Sequence, residues 1–198
     1  MPDPAADRLR AILRGDAALM RLLPVLHDLG LPDWWLVAGS IYGSAWNALT
    51  GRPREHGLRD YDLAYFDPDT SWDAENAVIA RVAAATAGLA LPAPVQARNQ
   101  ARVHLWFAGH FGIPFGPPLR NTVESMRRYA SQAHAVGVRL DAAGRLDVAA
   151  PFGLEDLLSL VIRPNPALNN RAAHLAKGAR SLALWPEATL LPWPDVPA

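Results

Sequence analysis

The sequence predicts an α+β fold, in which a small mixed sheet is flanked by helices. Short apolar runs of strand length alternate with longer segments of helical periodicity, and glycine and proline separate them. Hydrophobic residues make up 51% of the 198 residues and charged residues 19%. This composition is sufficient to bury a sizeable core. We expect one domain over residues 1–198, with a helical segment at about 5–30 in front of the sheet.

Composition and charge exclude several classes of protein. Nineteen basic and nineteen acidic side chains cancel, so no overall positive field indicates a nucleic-acid partner. The chain has no cysteine, which excludes disulfides, thiolate nucleophiles and Cys-ligated zinc. The first residues lack the apolar core of a signal peptide, and no apolar run reaches the length of a membrane span. We therefore predict a cytoplasmic protein without a membrane partner.

The first part of the chain predicts two helices, a strand and a third helix. Residues 5–14 carry an apolar stripe of helical period, and Asp16 can cap a second helix. Pro24 lies inside that second pattern, so a kink or a restarted helix is expected there. Residues 34–38 form a short buried strand, and a helix follows from Gly39 to about residue 50.

Strands and helices also alternate in the rest of the chain. A second strand is predicted over 59–66, and Asp-Ala-Ala-Gly between two apolar runs indicates a hairpin. Asn121 with Glu124 three residues later resembles a capping box at a helix start. The remaining predictions are helices at 73–87, 121–130, 154–161 and 171–184, a third strand at 102–107, and hairpin strands at 136–140 and 146–149.

Two carboxylates lie one residue apart on the second predicted strand. Residues i and i+2 of a strand project to the same face, so Asp60 and Asp62 project together, with their backbones about 7 Å apart. Hard oxygen ligands of this kind suit Mg²⁺ or Mn²⁺, which keep open positions for water and substrate phosphates. The alternative is that these acids cap a strand end or pair with Arg54 and Arg59.

A Gly-Ser turn joins the first predicted strand to the next helix. Gly39 and Ser40 leave free backbone N–H groups at the positive end of that helix, which is a favourable place for a phosphate. Glycine lets the backbone approach the phosphate closely. Ser40 could also serve only as the helix cap, a role that needs no ligand.

The turn followed by the paired acids resembles the DNA polymerase β-like nucleotidyltransferase superfamily. The matching residues are Val37-Ala38-Gly39-Ser40 and Asp60-Tyr61-Asp62-Leu63. The chain is also similar, from about residue 31 to 166, to a group of small bacterial nucleotidyltransferase family proteins. The resemblance implies the nucleotidyltransferase fold and transfer of a nucleoside monophosphate from an NTP to a hydroxyl acceptor. It assigns Gly39 and Ser40 to the triphosphate, and Asp60 and Asp62 to catalysis through bound Mg²⁺ or Mn²⁺.

A third acid on a neighbouring strand completes the metal site in that superfamily. The predicted third strand carries Arg102 and His104 on one face but no acid. His104 could ligate a metal and Arg102 could pair with Asp60 or Asp62, or both could be purely structural. Asp147, on a later strand, is another candidate for the third ligand.

Three functional hypotheses therefore remain from the sequence. The first is a metal-dependent nucleotidyltransferase acting on an NTP and an unidentified small-molecule or protein acceptor. The second is a catalytically inactive nucleotide-sensing or protein-binding module of the same fold, in which Arg102 and His104 replace the third ligand. The third is that no nucleotide binds and the two carboxylates only satisfy nearby arginines.

Overall fold

The computed structural model describes residues 3–194, and helices surround a mixed sheet in this part of the chain. The helices are α1 (Pro4–Arg14), α2 (Ala17–Asp28), α3 (Gly39–Leu49), α4 (Trp72–Thr86), α5 (Val103–Phe111), α6 (Thr122–Met126), α7 (Glu155–Leu158) and α8 (Arg171–Leu184). The strands are β1 (Trp35–Val37), β2 (Tyr61–Tyr65), β3 (Val95–Asn99), β4 (Gly137–Leu140), β5 (Leu146–Ala149), β6 (Val161–Ile162) and β7 (Thr189–Leu190).

The main sheet has the strand order β3-β2-β1-β4-β5. Its neighbouring strands are antiparallel except β2 and β3, which are parallel, and β6 and β7 form a separate parallel pair. The prediction of a mixed sheet flanked by helices is confirmed. The register sets Val37 of β1 opposite Asp62 of β2, and Asp62 opposite Gln96 of β3.

One face of the main sheet packs into the hydrophobic core. Leu36, Tyr61, Leu63 and Tyr65 are buried there among leucines of α1 and α2, because alternate strand residues point to this side. Full burial of each such side chain stabilises the fold by roughly 1.5–3 kcal/mol. The second helix is continuous, with Pro24 inside it, so it does not restart at the proline.

The opposite face of the main sheet carries the two acids. Near its centre Trp35, Val37 and Ala64 pack against Met126 of α6 in a smaller apolar cluster. Asp62 lies on the same face, because its partner Val37 points to this side of β1. The carboxylates are thereby held at the border between an apolar cluster and a cavity.

The predicted strand at 102–107 is wrong. The third strand ends at Asn99, and a 3₁₀ turn (Gln100–Arg102) then leads into α5. The Asn99 side chain fixes this change of direction, since its Oδ1 accepts hydrogen bonds from the N–H groups of Ala101 (3.1 Å) and Asp67 (3.0 Å). Its amide nitrogen donates to the Asp67 carbonyl at 2.9 Å. The predicted hairpin and the last helix, by contrast, are confirmed.

Candidate active site

A cavity of about 260 Å³ lies beside the carboxylates. Distant parts of the chain line it: the junction of β1 and α3, the segment that enters β2, the region before β4, and α8. Asp60 and Asp62 both line this cavity, whereas Tyr61 between them is buried on the core side. The structure therefore confirms that the two acids share one side of the strand.

The junction of β1 and α3 is a strained turn. Ala38 has φ 55° and ψ −119°, a conformation that residues with a side chain rarely adopt. Its N–H donates to the Val136 carbonyl at 2.9 Å, and its own carbonyl accepts from the N–H groups of Ile41 and Tyr42. The helix thus begins at Gly39, which lines the cavity at the positive end of α3.

Gly39 and Ser40 differ in their position relative to the cavity. Gly39 borders it, whereas the Ser40 side chain is buried and its Oγ lies 3.4 Å from the Val37 carbonyl. Ser40 does not cap the helix, because the capping position is Ala38. Any phosphate contact from this turn therefore comes from the backbone rather than from the serine hydroxyl.

The strand beside the carboxylates offers an amide and a guanidinium. Gln96 and Arg98 of β3 point to the same face as Asp62, because Asp62 pairs with Gln96 and Ala64 pairs with Arg98. Gln96 Nε2 lies 3.3 Å from Asp60 Oδ2. Within residues 3–194, no three side chains of His, Asp or Glu are grouped so that they could hold a metal ion.

Arg102 lies in a different environment from the one predicted. It is buried, with its Nε 3.0 Å from Glu75 Oε2, and it also donates to the Thr70 carbonyl. Its guanidinium covers the Trp72 ring at 4.3 Å from the ring centre. The predicted pairing of Arg102 with Asp60 or Asp62 is therefore wrong.

The other two candidates for the third ligand also lie outside the residues that line the cavity. His104 is on α5 rather than on a strand next to Asp60. Asp147 is on β5 at the far edge of the sheet, where its Oδ2 lies 3.4 Å from Arg139 Nε. The structure brings Gly39, Asp60 and Asp62 together and leaves these two residues elsewhere.

Lys177 and Arg180 of α8 were missed by sequence reasoning, although both line the cavity. They are three residues apart, which places them on one side of the helix. One signal was available: Lys177 is the single lysine in a chain with eighteen arginines. Lysine and arginine are not interchangeable, since lysine presents a compact ammonium charge and arginine a planar fork of donors.

The charges of the cavity influence one another. Burial raises the pKa of Asp62 to about 6, and the neighbouring Asp60 carboxylate adds to this effect. Lys177, Arg98 and Arg180 act in the opposite direction. Burial lowers the pKa of Lys177, and the charge of Asp62 partly offsets that effect. The site is thus a partly buried pair of acids opposite two cations.

His134 forms an aromatic wall of the cavity. It is 3% exposed, and its ring stacks on Tyr42 with ring centres 4.3 Å apart and planes inclined by 21°. Burial lowers the pKa of His134 to about 3, with further lowering by Lys177 and Arg180. The imidazole is therefore neutral near pH 7.

A family model described as "Nucleotidyltransferase" matches residues 24–190 of the chain. The chain belongs to this nucleotidyltransferase family. The match includes the β1–α3 turn, both carboxylates and α8, so the whole cavity falls within the part that defines the family. No curated protein sequence matches the chain.

Two solved structures resemble this nucleotidyltransferase. The first is an NMR structure said to reveal a CCA-adding enzyme head domain, with TM-score 0.74 and 23% identity, covering 94% of this chain and 96% of that one. It supports the fold assignment. The second, a tRNA-processing enzyme in an apo form, has TM-score 0.41 and 13% identity over 82% of this chain and 41% of that one. Within residues 3–194, no helix of the nucleotidyltransferase has the length and apolar character needed to cross a membrane.

Proposed function

We propose that the protein transfers a nucleoside monophosphate from an NTP to a hydroxyl group of a small-molecule or protein acceptor, with Mg²⁺ or Mn²⁺ held by Asp60 and Asp62. The observation that carries this proposal is the cavity itself. Two carboxylates, the amino end of α3 and two cations of α8 all border it. That the protein is cytoplasmic stays a prediction from the sequence.

The donor atoms of the cavity fit one divalent ion. Asp60 and Asp62 supply hard carboxylate oxygens, and such ions are commonly held by one or two carboxylates together with water and substrate phosphates. Burial is the main cause of the raised pKa of Asp62, and repulsion by Asp60 adds to it; a bound cation would relieve that repulsion. When bound, the ion would withdraw charge from the phosphate that is attacked.

The protein's own groups would bind and orient the triphosphate. The first backbone N–H groups of α3, beginning at Gly39, form the positive end of that helix, where an anion is stabilised. Lys177 and Arg180 supply two positive charges on the other side of the cavity. A volume of about 260 Å³ is smaller than most nucleotide-sized pockets, so the base would extend towards the surface.

Calorimetric titration with a manganese complex of a non-hydrolysable NTP tests this site. We expect the wild type to bind, and a double variant with Asp60→Asn and Asp62→Asn to lose binding while keeping its far-ultraviolet circular dichroism. The matched control is Asp147→Asn, because Asp147 is also a strand carboxylate but pairs with Arg139 outside the cavity. Equal binding by the wild type and the double variant would overturn the proposal.

A further inference from the structure

Helix α5 is an apolar helix that lies largely in solvent. Residues 103–119, which comprise α5 and the loop after it, contain no Asp, Glu, Lys or Arg. Another uncharged run of similar length, residues 34–51, forms β1 and α3, and most of it is buried. On α5, by contrast, only Val103 is buried, and every residue from 108 to 112 is exposed. A helix that is apolar almost all round is normally a buried one, so α5 requires a partner surface.

The exposed aromatic side chains of α5 lie together. The ring of Trp106 is 6.1 Å from that of His110 and 6.4 Å from that of Phe111, measured between ring centres. Trp72 lies at the amino end of the helix, because its ring is covered by Arg102, the residue before α5. The α5 patch is defined by these exposed residues and their exposed neighbour: Trp72, Leu105, Trp106, His110 and Phe111.

The α5 patch is complementary to itself. Within residues 3–194, its four large apolar side chains and Leu175 are the exposed large hydrophobic residues. Two copies of an uncharged patch meet without like-charge repulsion, and the chain has a formal net charge of zero. Aromatic residues without charged neighbours are typical of the centre of a protein–protein interface. A helix that lies on a lipid surface carries Lys or Arg on its polar face, which α5 lacks.

The exposed area is sufficient for a small symmetric interface. The exposed fractions are 67% for Trp72, 59% for Leu105, 41% for Trp106 and 50% for Phe111. Because aromatic side chains cover roughly 150–250 Å² each, these four expose roughly 400 Å² per molecule. Two copies would thus bury about 800 Å² from these side chains alone, and the exposed residues 108–110 and 112 bring the total close to the ~1,000 Å² of a specific interface.

We propose that α5 is a dimerisation surface, on which two copies of this chain pack patch against patch around a two-fold axis. Each copy contributes the same residues to such a contact, so assembly stops at two subunits. The small area makes the dimer weak and dependent on protein concentration. The residues of the α5 patch are not among those that line the cavity, so the inference does not rest on the proposed function.

Sedimentation velocity at increasing protein concentration tests the dimer. We expect the wild type to change from monomer towards dimer between about 1 and about 200 µM, because interfaces below about 1,200 Å² are typically weak. Leu105→Glu and Phe111→Glu should each weaken association at least about tenfold, since both copies then carry the same charge into an apolar contact. The matched control is Ala142→Glu, in the exposed turn between β4 and β5 at the opposite edge of the sheet from β3. A wild type that stays monomeric, assembly beyond the dimer, or equal weakening by the control would overturn the proposal.

The lack of cysteine in the chain allows a second test, which locates the contact. Leu105→Cys, Ala108→Cys and His110→Cys each place one thiol at an exposed position of α5, so any disulfide joins two copies. After oxidation we expect a covalent dimer from at least one of these variants and little from Ala142→Cys, because a disulfide needs Cα atoms within about 7 Å. Non-reducing electrophoresis measures the yield. Yields from all three that do not exceed that of Ala142→Cys would show that α5 does not face its own copy.

Discussion

Gln96 Nε2 lies 3.3 Å from Asp60 Oδ2 at the edge where β2 and β3 run parallel. The side chain of Gln96 thus places an amide on the strand next to β2, where the resemblance to the polymerase β-like superfamily predicts a third acid. The amide can hold the Asp60 carboxylate in place, but it brings no charge. The site is accordingly poorer in negative charge than a site with three carboxylates.

Gln96→Glu should strengthen binding of a divalent ion, because it adds a third carboxylate on the same face as Asp62. We expect about tenfold tighter binding of Mn²⁺, since affinity rises with the number of charged ligands. Electron paramagnetic resonance of free Mn²⁺ measures this. Ala142→Glu, in the exposed turn between β4 and β5, controls for net charge. If both variants gain equally, Gln96 does not stand beside the metal position.

Asp62 should make stability depend on pH. Its pKa of about 6 lies above the usual 3.8, so the folded state binds the proton more tightly than the unfolded chain. The free energy of unfolding should therefore decrease as pH rises through the window from about 4 to 6. Asp62→Asn removes this cost, and we expect it to be more stable than the wild type by about 2 kcal/mol at pH 8 and by little at pH 4. Urea unfolding at several pH values measures the difference, and a constant difference across pH would contradict the assignment.

Arg102 should matter for stability and not for ligand binding. Its removal leaves Glu75 buried without its partner, so Arg102→Met should lower the free energy of unfolding by about 3–5 kcal/mol.

His104→Ala should leave binding of the manganese–NTP complex unchanged, because His104 lies on α5 outside the cavity-lining residues. Weaker nucleotide binding by the folded His104 variant would show that α5 reaches the site.

Ala38 should be a strained position that glycine relieves. With φ 55° and ψ −119°, its conformation costs roughly 1–3 kcal/mol for a residue with a side chain. Ala38→Gly should raise the free energy of unfolding by about 1 kcal/mol, after the extra entropy of the unfolded glycine is included. Ala38→Val should lower it, and denaturant unfolding checks both. Lower stability of the glycine variant would mean that the turn before Gly39 is not strained.

The sequence predicted the parts of the site that local rules govern. The helix start at Gly39 was predicted from the Gly-Ser break, although the positive φ of this turn is at Ala38. The shared face of Asp60 and Asp62 follows from the two-residue period of a strand. These residues border one cavity in the structure. The confirmed hairpin and last helix are local in the same sense.

The rest of the site depends on tertiary packing. Lys177 and His134 reach the cavity only because α8 and the segment before β4 fold back towards β2, and no local pattern shows this. The third strand was misplaced for a related reason. Val103-His104-Leu105-Trp106 has strand-like composition, but the Asn99 hydrogen bonds turn the chain at the end of β3, and these four residues form the start of α5.

The central claim is that Asp60 and Asp62 support nucleotidyl transfer. The most direct measurement uses NTPs labelled at the α-phosphate, with the purified protein, Mg²⁺ or Mn²⁺, and a cell extract as the source of acceptor. We predict pyrophosphate release and transfer of label to an acceptor with at least one of the four NTPs, and only background with the Asp60→Asn, Asp62→Asn double variant. Nucleotide binding without pyrophosphate release, for all four NTPs and both metals, would contradict the claim and indicate a non-catalytic nucleotide-binding module.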